Sequence, residues 1–267
     1  VDNLNPEEAQ MLLAIDIGNT NITFGLYEGE RLGSCWRIRT IHEKMPDEYG
    51  ILMVQLFRHR GHEPEEVAGV AMASVVPPLT QAFEEVSRRY MGQDPLVVDA
   101  GVHTGVRVRY DDPRQVGADR VVDAAAVKAL YGVPACVVDF GTATTFDAVS
   151  ADGDYLGGAI APGIGIAAQA LFERTAKLPR VQLVRPPSVI GRNTPNAIQS
   201  GLLFGYVGLV EGMVARFKAE LGPETQIVAT GGLARVIAQE TDVIDTVDPW
   251  LTLHGLQIIY ELNRPSN

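Results

Sequence analysis

The sequence predicts an α/β protein built from two similar domains. Three observations carry this: strand-like and helix-like periodicities alternate along the chain, a short acidic motif recurs in the second half, and the composition suits a large core. Of 267 residues, 46% are hydrophobic and 21% charged. That is the profile of a globular chain long enough for one large domain or two ordinary ones.

Apolar runs of strand character occur at 12–17, 22–27, 34–39, 67–73 and 96–98, and apolar residues recur at helical spacing over 47–59 and 79–90. The order is ββ(β)αβαβ. A helical stretch at 118–131 follows. Strands at 136–139, 144–150 and 155–161, helices at 166–176 and 195–221, a strand at 226–230 and a helix near 251–262 then repeat the theme. The expected domains are therefore 11–132 and 133–267, with a boundary near Tyr131 to Pro134. Residues 1–10, VDNLNPEEAQ, are acidic and polar and lack the basic flank of a secretory signal. They are expected to be disordered or added in expression.

The recurrent motif is LLAIDIGNTNITFGLYEGE in the first half and CVVDFGTATTFDAVSADGD in the second. Placing Asp16 on Asp139 also places Gly18 on Gly141, an offset too long for a solenoid repeat and suited to duplicated domains. A glycine here lets the backbone pass close to a polyanion. The N–H groups and the hydroxyls of Thr20, Thr23, Thr142, Thr144 and Thr145 are then expected to donate to phosphoryl oxygens, with Asp16 and Asp139 able to hold neutralising cations. One Asp-x-Gly at a strand end is also an ordinary hairpin turn. Two matched copies favour a shared ligand, in a cleft where the turns face one another.

Several chemistries are disfavoured. A formal net charge of −11 repels nucleic acid phosphates. Two cysteines, Cys35 and Cys136, each inside an apolar run, point to a reducing compartment, and a cytoplasmic location is expected. Neither a P-loop nor a G-x-S-x-G elbow is present. His59 and His62 flank Gly61, which interrupts the helix that would align them on a metal, and they read as solvated helix-end residues. The uncharged run 155–172 has bilayer length, but its glycines and Pro162 make it a strand, a turn and a helix start rather than a membrane span. Its GIGIAA matches a dinucleotide loop in form, without the acidic ribose partner. Gly201, Gly205, Gly208 and Gly212 fall on one stripe of the long helix, so another helix is expected to pack there, within the second domain or across a dimer.

DIGNTN, VGADR, VVDFGTATTFD, GGAIAPG, IGRNT with AIQSG, and ATGG occur in this order, and together the chain from Met11 to about Asn263 resembles the type III pantothenate kinases of the acetate and sugar kinase, Hsp70 and actin superfamily. The resemblance implies two ribonuclease H-like domains with the active site in the cleft between them. It also implies ATP-dependent phosphorylation of pantothenate to 4'-phosphopantothenate, the first step of coenzyme A biosynthesis, by a homodimer that uses Mg2+ with ATP and a monovalent cation, K+ or NH4+.

By the same resemblance, Asp16, Ile17, Gly18, Asn19, Thr20, Asn21, Ile22 and Thr23 form the ATP phosphate loop with Thr142. Asp139 is similar to the monovalent-cation ligand, and Asp16 is a candidate for Mg2+. Gly117, Ala118, Asp119 and Arg120 resemble the pantothenate site, with Asp119 as proton acceptor and Arg120 on the substrate carboxylate; Tyr110 and Thr194 match two further substrate contacts. Elementary chemistry agrees: a guanidinium grips a carboxylate bidentately, and a carboxylate, although a weak base toward an alcohol, orients the hydroxyl and takes its proton late. Read without the family, Asp119 also fits a helix start, where its charge favours the dipole. Two other readings remain: a kinase of the same superfamily acting on another small hydroxy acid or sugar, and a non-catalytic regulator similar to Bvg accessory factors. Arg120 and Tyr110 favour an acid, and the intact Asp119 and turns argue against a decayed enzyme.

Overall fold

The computed structural model describes residues 11–264; the expectation for residues 1–10 lies outside the described residues. The chain divides into two compact units, one comprising 11–106, 111–126 and 252–264, the other 107–110 and 127–251.

The first unit contains β1 (Met11–Ile17), β2 (Asn21–Glu28), β3 (Arg31–Arg39), α1 (Pro46–His59), β4 (Val67–Ser74), α2 (Pro77–Tyr90) and β5 (Leu96–Val97). Its sheet runs β3-β2-β1-β4-β5. The hairpin partners of β1 and β2 are antiparallel, while β1, β4 and β5 are parallel. The near-continuous apolar sequence of β1 follows from its central place, where both faces are covered. On one face Leu13, Ile15, Ile17 and Phe24 join Tyr49 and Phe57 of α1 and Phe83 of α2 in a single core. Each such side chain contributes roughly 1.5–3 kcal/mol by leaving water.

Helix α3 (Ala118–Leu130) begins in this unit, and most of α7 (Leu251–Asn263) belongs to it. Helix α7 packs through glycines: Gly25 and Gly69 make room for Leu253 and Tyr260, and Gly255 lies against Val122 of α3. Tyr27 and His254 share a hydrogen bond of 2.8 Å. Chain order alone sets this helix after the second repeat; packing sets it with the first.

The second unit holds β6 (Ala135–Phe140), β7 (Ala143–Val149), β8 (Tyr155–Pro162), α4 (Ile164–Glu173), α5 (Thr194–Leu221), β9 (Gln226–Gly231), α6 (Ala234–Ala238) and β10 (Thr246–Val247). Its sheet order, β8-β7-β6-β9-β10, repeats that of the first strand for strand, including the pattern of antiparallel and parallel pairs. The duplication expected from the motifs is thus a duplication of topology. The third strand is present in both copies. The short α6 and the two-residue β10 escape the periodicity, being too brief to show a period.

Cys136, Val138, Phe140 and Phe146 form one core with Ile198, Leu202, Leu203, Val210 and Val214 of α5. Helix α5 has the length and apolar composition of a membrane span, with a mean hydropathy of 1.4 over its best window, of which 33% is buried; these residues form the side that joins the core. Its glycine stripe behaves differently from the expectation of close packing inside the domain. Nothing stands within 4 Å of a methyl group placed at Gly201, Gly205 or Gly208.

Candidate active site

In the first unit the acidic turn closes the β1–β2 hairpin. Ile17 pairs with Ile22, leaving a loop of Gly18, Asn19, Thr20 and Asn21 that Gly18 N closes by donating to Asn21 O at 3.0 Å. Thr40 clamps the loop from β3's end: its N–H donates to Thr20 O at 3.0 Å and its hydroxyl to Gly18 O at 2.6 Å. Both carbonyls are thereby engaged as acceptors. Asn19, Thr20 and Asn21 are exposed, Asp16 and Gly18 half-buried, and Ile22 and Thr23 buried. Ile17 and Ile22 therefore serve the core and carry the loop by backbone alone.

The GADR segment arrives at this turn through β4. Val75 N donates to Ile17 O at 3.1 Å, and a methyl group at Gly117 would stand 3.5 Å from Val75 Cγ1. Gly117 precedes the first residue of α3, so Asp119 and Arg120 occupy its first turn, half-buried. Asp119 Oδ1 accepts from Arg120 N at 2.8 Å. That same oxygen would lie 2.5 Å from a methyl group at Gly117, which accounts for a glycine at that position. A carboxylate at a helix N-terminus also faces the positive end of the helix dipole.

In the second unit the turn is one residue shorter. Phe140 pairs with Thr144, leaving Gly141, Thr142 and Ala143. Asp139 lies between two glycines: Gly141, whose added methyl would come 3.1 Å from Asp139 Oδ2, and Gly231, whose added methyl would overlap Asp139 Oδ1. Gly231 also has φ +88°, a left-handed backbone that favours glycine. Gly163, the residue before α4, cups the turn from below; a side chain there would overlap Thr142 O and stand 2.8 Å from Gly141 O. Tyr206 of α5 ties this cup to the long helix by donating to Pro162 O at 2.5 Å. The GIGIAA run is thus a steric support for the turn. Gly141 and Thr142 are exposed, whereas Thr144 is 1% exposed on the core side of β7, so the expectation that Thr144 donates to a phosphoryl oxygen fails for a geometric reason. Thr145 donates its proton inward, to Asp147.

Tyr110 ends a segment that runs beside β8. Tyr155 N donates to Arg107 O at 2.9 Å, Arg109 N donates to Tyr155 O at 2.8 Å, and Arg109 pairs with Asp154. Gly157, at φ +115°, leaves space for the exposed Tyr110 ring, 3.1 Å from an added methyl. Thr194 is the first residue of α5 and lines a cavity of about 900 Å3 with Arg192, Asn193, Ala197 and Gly201. Asn193 caps the helix, accepting from Asn196 N at 2.9 Å. Tyr110 and Thr194 therefore enter from different parts of the second unit.

Gly163, Gly231, Val75 and Asp147 were not among the residues expected at the site. The two glycines lie inside quoted motifs, yet their steric role depends on which strand neighbours them. Asp147 closes the quoted VVDFGTATTFD motif, where it stands as a charge inside an apolar strand. His62 bonds Ser34 Oγ at 3.0 Å and His59 ends α1, exposed. Among the described residues no group of three or more His, Cys, Asp or Glu side chains gathers as a preformed metal cage.

The first unit runs β-β-β-α-β-α-β, the second repeats it with one further helix before its fourth strand, and each copy has an Asp-x-Gly turn after its first strand; this defines a duplicated ribonuclease H-like α/β fold. Solved structures agree. An inorganic polyphosphate/ATP-glucomannokinase from Arthrobacter sp. superposes with a TM-score of 0.51 at 15% identity, covering 96% of this chain and 100% of that one. The activator of 2-hydroxyisocaproyl-CoA dehydratase from Clostridium difficile gives 0.52 at 11% identity, covering 97% and 100%. At the sequence level the match is much narrower. The family model of type III pantothenate kinase matches residues 12–216. The type III pantothenate kinase of Moorella thermoacetica is 55% identical over 95% of this chain and 100% of its own length, and that of Dehalococcoides mccartyi 52% identical over 96% and 99%. The chain belongs to the type III pantothenate kinase family.

Proposed function

We propose that the chain catalyses ATP-dependent phosphorylation of pantothenate to 4'-phosphopantothenate, the first step of coenzyme A biosynthesis. The observation that carries this reading is the 55% identity over 95% of the chain, with both acidic turns and the GADR segment intact. Phosphoryl transfer passes through a loose transition state, so the residues act mainly by alignment and by neutralising charge.

The loop from Asp16 to Thr23 binds the ATP phosphates, with Thr142 as a second contact. The exposed N–H groups and hydroxyls near Asn19 and Thr20 suit this role. Asp119 orients the acceptor hydroxyl and takes its proton, and Arg120, with Gly117 and Ala118 beside it, grips the substrate carboxylate; Tyr110 and Thr194 each contribute a further contact to pantothenate. Asp16 and Asp139 are hard oxygen donors, which fit Mg2+ and K+ or NH4+ rather than soft metals. Each ion would be held by one carboxylate together with substrate phosphates. When bound, Mg2+ at Asp16 and a monovalent cation at Asp139 supply positive charge to phosphoryl oxygens.

The chain works in the cytoplasm, in keeping with two unpaired thiols, and as a homodimer. The homodimer is supported by exposed Ile166, Leu171 and Phe172 on α4 and by the open glycine stripe of α5. Sedimentation velocity is expected to return twice the 28.8 kDa chain mass; a single-chain mass would remove the dimer. The activity is tested by ADP release with ATP and Mg2+, with and without pantothenate. Release that requires pantothenate is expected. Release with another hydroxy acid in its place, or none at all, would overturn the assignment.

A further inference from the structure

Two threonines occupy matching places in the repeat, Thr23 on β2 opposite Asp16 and Thr145 on β7 opposite Asp139. In an antiparallel pair such partners project from the same face with Cβ atoms roughly 4.5–5.5 Å apart. Their hydroxyls are wired with opposite polarity. Thr23 Oγ1 accepts from Arg37 Nε at 3.3 Å, which leaves its own proton to donate elsewhere. Thr145 Oγ1 donates to Asp147 Oδ2 at 2.8 Å. A hydroxyl has one proton, so Thr145 offers a ligand only lone pairs.

Asp147 is built in to hold that orientation. It is 2% exposed, and its other oxygen accepts the hydroxyl of Tyr155, itself fully buried, at 2.8 Å. Burying a carboxylate is costly unless it is hydrogen-bonded, and the fold has no need of one here. The matching residue of the first repeat, two past Thr23, is Gly25, where the side chains of Leu32 and Leu253 crowd in instead.

We propose that Asp147 is a positioning residue that makes Thr145 an obligate acceptor, so that the second turn selects a cation beside Asp139 while the first, through Thr23, selects a phosphoryl oxygen. This corrects the expectation that both threonines donate to phosphate. It rests on the reading above that a monovalent cation binds at Asp139.

The test compares wild type with Asp147→Asn, Thr145→Val, Thr145→Ser and Tyr155→Phe, titrating KCl against tetramethylammonium chloride at constant ionic strength. Two readouts are taken: the rise in melting temperature of the protein and the steady-state rate. An asparagine offers Thr145 an N–H, allowing the hydroxyl to turn its proton outward. Asp147→Asn and Thr145→Val are expected to raise the K+ concentration for half-maximal effect by about tenfold or more in both readouts, the usual scale for losing a residue that orients a metal ligand. Thr145→Ser keeps the wild-type value. Tyr155→Phe lowers the melting temperature in every salt yet leaves the K+ requirement in place, which separates orientation from general stability. If Asp147→Asn does not fold, the Thr145→Val and Thr145→Ser pair decides. Unchanged half-saturation in the Asp147→Asn and Thr145→Val variants overturns this inference alone. A wild type indifferent to K+ in both readouts overturns it together with the cation reading.

Discussion

Asp119→Asn is expected to lower kcat by about 10²- to 10⁴-fold, the range for loss of a positioned proton acceptor, with the fold retained. The substitution is close to isosteric. Its remaining carbonyl oxygen can still accept from Arg120 N, the bond that Asp119 Oδ1 makes at 2.8 Å, and Gly117 still makes room beside it. What is lost is negative charge at the start of α3, worth about 0.3–1 kcal/mol to the helix, and the ability to take a proton. KM for pantothenate should change far less than kcat, because Arg120 and its neighbours are untouched. Coupled ADP-release kinetics and a urea melt on the same preparation check both halves. A variant that turns over at near the wild-type rate would remove Asp119 from the role of acceptor.

Gly231→Ala is expected to have the largest effect on stability, a loss of about 2 to 5 kcal/mol, from a left-handed backbone forced on an L-residue together with overpacking. Gly231 has φ +88°. Its added methyl would overlap Asp139 Oδ1 and stand 2.7 Å from Phe140 N and C. The last two are backbone atoms of β6, hydrogen-bonded into the sheet centre, and cannot swing away as a flexible side chain can. Either β9 parts from β6 or Asp139 is displaced. The urea midpoint should fall, and whatever protein remains folded should show a weakened response to K+. A midpoint within experimental error of wild type would mean that the Gly231 and Asp139 contact is looser than described.

How much of this was legible beforehand depends on the kind of interaction. The strands of both repeats, β10 excepted, and the long helix follow from runs and periods of apolar residues, a local signal that needs no tertiary knowledge. The recurrence of Asp16 and Gly18 as Asp139 and Gly141 likewise announces a duplication, and the sheets bear it out strand for strand. The two turns are not the same length, however. Asp16 faces Thr23 and Asp139 faces Thr145, a one-residue difference that an alignment by motif alone passes over.

Thr144 and Thr145 show the limit most clearly. As letters they are equivalent donors next to an acidic turn. The alternation of a strand sends one into the core and the other to the opposite face, and there the partner decides the chemistry: Asp147 takes the proton of Thr145, and Arg37 donates to Thr23. Hydrogen-bond polarity is a property of pairs, and the pairs are made across strands.

The amino-acid sequence by itself determined the α/β class, the two acidic turns and the family, because each is written in local pattern or in residue identity along the chain. Tertiary structure alone decided that α7 packs with the first unit, that Gly163 and Gly231 are steric supports for the second turn, and that matching threonines are wired in opposite senses. Those facts depend on which distant segments become neighbours, and no single segment carries that information.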